Sequence, residues 1–511
     1  MMPSLGVRRP WMLSDLLGGL ASVPAGADVP IGHLTLDSRR VEPGGLFLAC
    51  CGATGHGLSF VEEARRRGAA AIAAEPSDAW DLARLAAGLG IPLIPVVDLA
   101  RRASFIADRF LGEPSAELEV TGITGTNGKT SVSHFLAQAL APEVRCGIVG
   151  TVGFGFPDAL TGTTHTTPDA VTLQEILDSL RRKGARSVAM EVSSHALDQG
   201  RAEGVRFAHA VFTNLSRDHL DYHRDMRRYG AAKTRLFRSP GLRWAILNLD
   251  DPHSQAILPE IASGVSVAFY SLQPNPVPPK RCELLLGLRR LTPTARGLRL
   301  EIETGAGSGD LEAGVLGRFN AANLLAVLGV LLATGLTLER ALALLSGVRG
   351  VPGRMECFGG SGQPLVVVDY AHTPDALEQT LRSLRAHAKG RLTCVFGCGG
   401  ERDPGKRPLM GEVAERLSDR VILTDDNPRR EDGDEIVAQV LAGARRPAAF
   451  QVERQRGLAI RSAIATAAER DIVLVAGKGH ETVQDMGDLK VQFSDRAQVV
   501  QALREREGYL S

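Results

Sequence analysis

The chain has 511 residues, 44% of them hydrophobic and 23% charged, with 59 Lys+Arg against 58 Asp+Glu for a net charge of +1. That length exceeds what a single hydrophobic core supports and predicts about three domains, while the balanced charge excludes an acidic disordered chain and a basic nucleic-acid coat. Seven cysteines without a pair of CxxC motifs exclude a disulfide framework or structural zinc and point to a reducing compartment, the cytoplasm.

At the N-terminus, Arg8 and Arg9, an apolar stretch and Ala25-Gly26-Ala27 have the outline of a secretory signal. Asp15 interrupts that stretch, and Leu13, Leu16, Leu17 and Leu20 fall at helical spacing, which predicts an amphipathic surface helix instead. A helix over 61–67 and a buried strand over 68–74 give a compact α/β unit, residues 1–115, closed by Glu113-Pro114. A strand over 118–123 opens a second domain, 116–350. Strand-like runs at 187–190, 208–212 and 244–247, separated by helical stretches, have the rhythm of a mostly parallel sheet wound with helices. The Pro-rich segment 274–279 leads into a smaller β-rich insertion. Helices at 323–334 and 338–345 then reach Gly350-Val351-Pro352-Gly353, a breaker cluster and second hinge. The third domain, 351–511, has strands at 365–368, 393–396, 421–423 and 472–475, each followed by a Gly-, Pro- or Asp-containing loop, as in a Rossmann-like doubly wound sheet. The predicted fold class is thus α/β in three domains, with a P-loop-type sheet in the centre. The longest apolar run, 324–333, is far below the roughly 20 residues of a membrane span, so no membrane insertion is expected.

The sharpest chemical signal is Thr124-Gly125-Thr126-Asn127-Gly128-Lys129-Thr130, between the strand over 118–123 and an apolar-periodic helix running to Leu140. Gly125 and Gly128 let the backbone approach phosphate oxygens, the helix start offers free N–H groups, Lys129 supplies a point charge and Thr130 can hold Mg²⁺. Position 123 is Ile where a strict Walker A motif has its first glycine. Only eight of the basic residues are lysines, and four of them, Lys129, Lys233, Lys406 and Lys478, fall in or beside loops suited to chemistry. Lys can serve as a compact or titratable charge, and Arg cannot easily do either. Glu191-Val192-Ser193-Ser194-His195 and Arg217-Asp218-His219 each follow a predicted strand. A carboxylate and an imidazole on the same sheet edge as Thr130 would suit a divalent ion bridging phosphates.

In this order the chain also carries Thr166-Thr167-Pro168, Ala231-Ala232-Lys233, Phe319-Asn320 with Asn323, Asp369-Tyr370-Ala371-His372-Thr373-Pro374, Gly397-Cys398-Gly399-Gly400, Asp425-Asp426-Asn427-Pro428-Arg429 and Gly477-Lys478-Gly479-His480-Glu481. With the motifs above, this series resembles the Mur ligases, and within them the diaminopimelate-adding branch, from about Asp37 to Arg496. The resemblance implies an ATP-dependent amide ligase of peptidoglycan precursor synthesis.

 It implies an enzyme acting as a monomer in the cytoplasm, with ATP and Mg²⁺ as cofactors, UDP-MurNAc-L-Ala-D-Glu and meso-diaminopimelate as substrates, and no nucleic-acid partner. The D-glutamyl γ-carboxyl would be phosphorylated, and the amine would attack the acyl phosphate through a tetrahedral intermediate, chemistry that needs positioned anions and neutralised charge rather than a protein nucleophile.

Residue by residue, the resemblance assigns residues 1–115 to the UDP-sugar, 116–350 to ATP and 351–511 to the amino acid. Lys129, Glu191, His219 and Lys233 become catalytic. Gly125, Thr126, Asn127, Gly128, Lys129 and Thr130 hold phosphates, Asn320 and Asn323 the adenine, and Arg354 and Asp369 the phosphates and ribose. Thr130 and Glu191 hold one Mg²⁺, and Glu191, His219 and Lys233 surround a second. Lys233 matches a carbamylated lysine, a cation turned into an anion able to ligate metal. Ser38, Thr166, Thr167, Ser193, Gln199 and Arg201 match residues that hold the nucleotide-sugar and its peptide. Where relatives carry Gly-His-Gln-x-Asp-Gly, this chain has Gly52-Ala53-Thr54-Gly55-His56-Gly57, which leaves uridine contacts there to backbone groups. Asp426, Asn427 and Arg429 match the amino-acid loop, where an Arg fork can grip the second carboxylate that L-lysine lacks. Arg402, Gly477 and Glu481 match its other contacts.

A sister Mur enzyme, an L-lysine-adding one or a folylpolyglutamate synthase would share the P-loop, Glu191 and Lys233. The Asp-Asn-Pro-Arg and Gly-Lys-Gly-His-Glu segments favour diaminopimelate. A nucleotide-binding regulator without ligase activity is disfavoured because every expected chemical position is filled, and a nucleic-acid-dependent ATPase by the net charge of +1. Cys394 and Cys398, near the ligand loops, are expected to be incidental.

Overall fold

The computed structural model describes residues 11–52, 55–163, 165–294, 297–305, 307–360 and 362–510, the last four by backbone alone. Arg8, Arg9, Ala53 and Thr54 lie outside the described residues. The chain forms two compact units, one of Met1–Gly122, Val144–Ala210 and Arg235–Arg243, the other of Ile123–Glu143, Val211–Thr234 and Trp244–Ser511.

In the first unit, the strands His33–Thr35, Gly45–Ala49, Ala69–Ala74 and Leu93–Pro95 form a parallel sheet in that order. Successive side chains point to opposite faces. Leu46, Leu48, Ala71, Ala73 and Ile94 pack with Leu13, Leu16, Leu17 and Ile106, while Phe47, Ala49, Ile72 and Ala74 pack with Leu58, Val61 and Ala64. Both faces are covered, which is why these strands read as apolar runs rather than alternating ones. The expected N-terminal helix is the short turn Leu13–Leu16; Asp15 is exposed, but Leu13, Leu16 and Leu17 belong to the core. The unit also contains the parallel pair Cys146–Val149 and Ser187–Glu191, with the hairpin Phe154–Phe156 and Ala159–Thr161 on the outer side of Cys146–Val149.

In the second unit, the helix Lys129–Leu140 follows the phosphate loop. The helix Arg318–Ala333 begins five residues before its predicted start and is buried along most of its length. Trp244–Asn248, Ser266–Ser271 and Leu284–Thr294 pair in parallel, and Leu284–Thr294, Gly297–Thr304 and Gly307–Ala313 then pair antiparallel as the expected β-rich insertion.

The last sheet has Glu356–Gly359 as an antiparallel edge, then Leu365–Asp369, Ile472–Ala476, Leu392–Phe396, Arg420–Leu423 and Phe450–Val452, all parallel. One face buries Val367, Cys394, Phe396, Leu423 and Leu474 against Leu377, Leu381 and Met410. The other buries Val366, Val395, Ile422 and Val473 against Ile460, Ile464 and Val499. Helices on both faces of a parallel sheet leave its strand C-termini free for binding loops. The strand Phe450–Val452 and the helix Arg456–Ala465 were not predicted. No helix among the described residues is long and apolar enough to cross a membrane.

Arg456, at the start of that unpredicted helix, is clamped to Asp495 through two hydrogen bonds of 2.7 Å, both side chains being fully buried. Its Nη2 also donates to Ala476 O at 2.9 Å, where the strand gives way to the Gly477–Glu481 loop. Removing one partner of such a pair leaves a buried charge uncompensated. Asp495→Ala is therefore expected to destabilise this part of the chain by about 3–5 kcal/mol in urea unfolding, and Arg456→Met with Asp495→Leu together by much less. Burial pushes the thiols of Cys394 and Cys398 up to about 12. Iodoacetamide at pH 8 is expected to leave both unlabelled in the native protein, to label the exposed Cys51, and to reach all three in urea, as peptide mapping would read.

Candidate active site

The strand Glu119–Thr124 delivers the chain into a loop whose residue types are forced by geometry. Gly125 has φ 147° and Gly128 φ 87°, backbone that side chains disfavour. A Cβ at Gly125 would lie 1.9 Å from Thr213 Oγ1, and one at Gly128 2.6 Å from Asn323 Oδ1. The loop is braced by Thr213 and Asn214. Thr213 Oγ1 donates to Asn127 O at 2.6 Å, Asn214 Nδ2 donates to the same oxygen at 3.1 Å, and Asn127 N donates to Asn214 Oδ1 at 3.0 Å. Sequence reading missed both braces, although a polar Thr-Asn pair directly after a predicted strand was the available signal.

Two amines meet on the loop. Lys129 Nζ donates to Gly125 O at 2.7 Å and Thr126 O at 2.9 Å, and Lys233 Nζ donates to Gly125 O at 2.9 Å. Lys233 is 1% exposed and lies 4.3 Å from the centre of the Tyr229 ring. Burial, and then the Lys129 charge, hold its pKa well below the usual lysine range, against the pull of Asp218. Asp218 resists its own burial because the charges of His219, His372 and Lys406 hold its carboxyl down to about 2. Its Oδ1 accepts from His219 N at 3.0 Å, and Oδ2 lies 3.3 Å from His219 Nε2. Burial, then Lys406, lowers His372 to about 4. The sequence assigned His219 a role but not Asp218, His372 or Lys406, though all three stood in or beside its motifs.

Beside the loop lies a cavity of about 390 Å³ whose lining includes Asn127, Gly128, Asn323, Arg354, Asp369 and Asp375. Arg354 Nη2 donates to Thr130 Oγ1 at 3.2 Å, with its guanidinium 4.3 Å from the centre of the Tyr370 ring. Asn323 Nδ2 donates to Asn320 Oδ1 at 2.9 Å, while Asn320 Nδ2 donates to Leu316 O and Asn320 lines a different cavity, of about 550 Å³. Asp369 accepts from Met355 N at 2.7 Å and Ala371 N at 2.9 Å, and burial raises its pKa. Both its oxygens thus hold the backbone around the hinge.

In the first unit, the fully buried Glu191 accepts from Thr151 N at 2.9 Å and Thr151 Oγ1 at 3.0 Å. A Cβ at Gly150 would lie 2.1 Å from Glu191 Oε1, so glycine is required there. Thr166 Oγ1 is 2.9 Å from Thr151 Oγ1, and Thr167 Oγ1 donates to Glu191 O at 2.9 Å and accepts from Ser193 N at 3.0 Å. Arg201 donates to Gln199 Oε1 and, at 3.0 Å, to Thr167 O. Five predicted substrate residues and Glu191 thus form one cluster. Ser38 is held instead by Glu63, at 2.7 Å. Thr151 is a member that the sequence did not single out.

The residues expected to hold the amino acid gather at the C-terminal ends of the last sheet. Gly477 has φ 117°, and a Cβ there would lie 2.3 Å from Asp426 Oδ2. Arg429 has φ 53°, donates through Nη1 to Gly400 O at 2.5 Å and lies 4.0 Å from Asp485. Asn427 Nδ2 donates to Glu481 Oε2 at 2.9 Å. Arg402 is exposed on the loop before Lys406. Among the described residues no group of three His, Cys, Asp or Glu forms a ready metal cage; an Mg²⁺ held through one or two protein groups, phosphates and water needs none.

Three family models match the chain: Mur ligase family, catalytic domain, over 30–111; Mur ligase middle domain over 123–331; and Mur ligase, glutamate ligase domain, over 353–479. UDP-N-acetylmuramoyl-L-alanyl-D-glutamate–2,6-diaminopimelate ligase of Alkalilimnicola ehrlichii is 53% identical over 489 residues, 94% of this chain and 96% of the relative. The ligase of the same name from Pseudomonas aeruginosa is 49% identical over 477 residues, 93% of this chain and 96% of the relative. A solved structure of a ligase of that name superposes with a TM-score of 0.69 at 33% identity, covering 98% of this chain and 99% of the other. The chain belongs to the Mur ligase family.

Proposed function

We propose that this protein is an ATP-dependent ligase that joins meso-diaminopimelate to the D-glutamyl γ-carboxyl of UDP-MurNAc-L-Ala-D-Glu, in the cytoplasmic synthesis of peptidoglycan precursor. The observation that carries this reading is 53% identity, over 94% of the chain, to a 2,6-diaminopimelate ligase. Residues 1–115, 116–350 and 351–511 serve the UDP-sugar, ATP and amino acid in turn, a division supported by family-model bounds of 30–111, 123–331 and 353–479.

ATP occupies the cavity beside the loop. Backbone N–H groups from Gly125 to Thr130 and the Lys129 ammonium hold its phosphates, Asn323 forms the adenine side with its amide oriented by Asn320 behind it, and Arg354 and Asp369 organise the backbone next to them. Thr130, Glu191 and His219 are the groups fitted to Mg²⁺, whose charge would neutralise the transferring phosphoryl group. The buried Lys233, with its proton affinity lowered, suits carbamylation: the neutral amine adds to CO₂ and releases a proton, leaving an anion where an ammonium would repel metal. Thr166, Thr167, Ser193, Gln199, Arg201 and Ser38 hold the nucleotide-sugar and its peptide. Glu481 receives an ammonium, Arg429 the distal carboxylate, and Arg402, Asp426, Asn427 and Gly477 complete the amino-acid site. The amine displaces phosphate from the acyl carbon through a tetrahedral intermediate.

Phosphate release with Mg-ATP and UDP-MurNAc-L-Ala-D-Glu is expected to depend on meso-diaminopimelate, with L-lysine at least about 10³-fold poorer because it offers Arg429 no second carboxylate. Arg429→Ala should erase most of that preference. Preference of the native protein for L-lysine would overturn the role of Arg429, and silence with every amine the function itself. Lys233→Ala is expected to lose about 10²–10³-fold or more in kcat and to recover partly with acetate; full activity without rescue would remove Lys233 from the mechanism.

A further inference from the structure

Lys478 is fully buried, yet none of the roles above uses it. Its Nζ donates to Asn427 Oδ1 at 2.9 Å, Glu481 Oε2 at 2.8 Å and Val483 O at 2.8 Å, which satisfies all three ammonium protons. Asn427 Oδ1 takes a second bond from Asp485 N at 2.9 Å, and Asn427 Nδ2 donates to Glu481 Oε2, so both ends of the amide are fixed. Both bonds to Glu481 fall on Oε2; Oε1 has no hydrogen bond among the described residues, and the side chain is 29% exposed. The same node reaches Arg429: Val483–Asp485 is one strand of a hairpin, and Asp485 O accepts from Arg429 N at 3.0 Å, where Arg429 adopts its left-handed φ of 53°.

We propose that Lys478 is a positioning residue for the amino-acid site: it turns Glu481 Oε1 outward as the acceptor for a substrate ammonium and holds the hairpin that presents Arg429. This rests on the functional reading above. A compact ammonium can serve three converging acceptors where a planar guanidinium cannot. The sheet beneath has its own clamp in Arg456 and Asp495, so Lys478 acts on the loops rather than on the core. Burial opposes ionisation of Glu481, and Lys478 is the first influence that holds its pKa below the ordinary value, followed by Asn427 and His480. The other groups facing it are Tyr370, Asp426 and Arg456. Without Lys478 the Glu481 pKa rises, so the ionised acceptor is lost at a higher pH as the solution is acidified.

The test uses the full-length enzyme with Lys478→Gln, which can still donate to Glu481, and Lys478→Met, which cannot. Steady-state phosphate release is read against each substrate and across pH. Expected are a rise of roughly ten- to a hundred-fold in KM for meso-diaminopimelate in Lys478→Met, a smaller rise in Lys478→Gln, KM for ATP and UDP-MurNAc-L-Ala-D-Glu within about two-fold of wild type, and an acid limb of kcat/KM for diaminopimelate moved to higher pH in both. If Lys478→Met does not fold, Lys478→Gln decides. An unmoved KM for diaminopimelate and acid limb overturn the proposal, as does a fall confined to kcat. A wild-type enzyme that ignores diaminopimelate overturns the functional reading and this one with it; wild-type turnover with unmoved variants overturns only this one.

Discussion

Two amines converge on one carbonyl oxygen, that of Gly125, and the chemistry of the phosphate loop depends on how that crowding is resolved. Lys129 has a second acceptor in Thr126 O and is only half-buried. Lys233 is enclosed against Tyr229, and the cheaper outcome there is to give up its proton. One carbonyl thus serves a half-buried amine and a fully enclosed one whose proton affinity burial lowers. The arrangement survives only because Gly125 lets the chain turn without striking Thr213.

A second constraint runs through the hinge. Asp369 spends its oxygens on the backbone of Met355, which sits at a left-handed φ of 49°, and of Ala371. Arg354, one residue before Met355, bonds Thr130 on the phosphate-loop helix and stacks on Tyr370 beyond Asp369. The geometry at 354–355 and that of the glycine loop are therefore set together, through an aspartate that fixes the residue next to the arginine reaching Thr130.

Much of this was legible in the sequence, and the reasons are local. Gly125 and Gly128 are readable because a positive φ and a close approach both select glycine. The sheet strands are readable because burial on two faces writes uninterrupted apolar runs. The helix Arg456–Ala465 escaped because its first residue is a buried arginine, whose partner Asp495 is 39 positions away. Thr213, Asn214 and Thr151 escaped for the same kind of reason: each braces a loop distant in sequence, and only folding brings brace and loop together. The roles of Thr166, Thr167 and Arg201 came from resemblance alone, since nothing in their spacing announces a substrate.

The economy of lysine has a consequence for the protein's own exposure to reactive carbonyl compounds. Lys233, Lys406 and Lys478 are buried and Lys129 is half-buried, while only Lys183, Lys280, Lys389 and Lys490 stand exposed. The rest of the positive surface is arginine, which carries charge but is never deprotonated and so is a poor nucleophile. The surface thus presents few amines for an activated carboxyl group to acylate by accident. Composition alone keeps the count of exposed amines low.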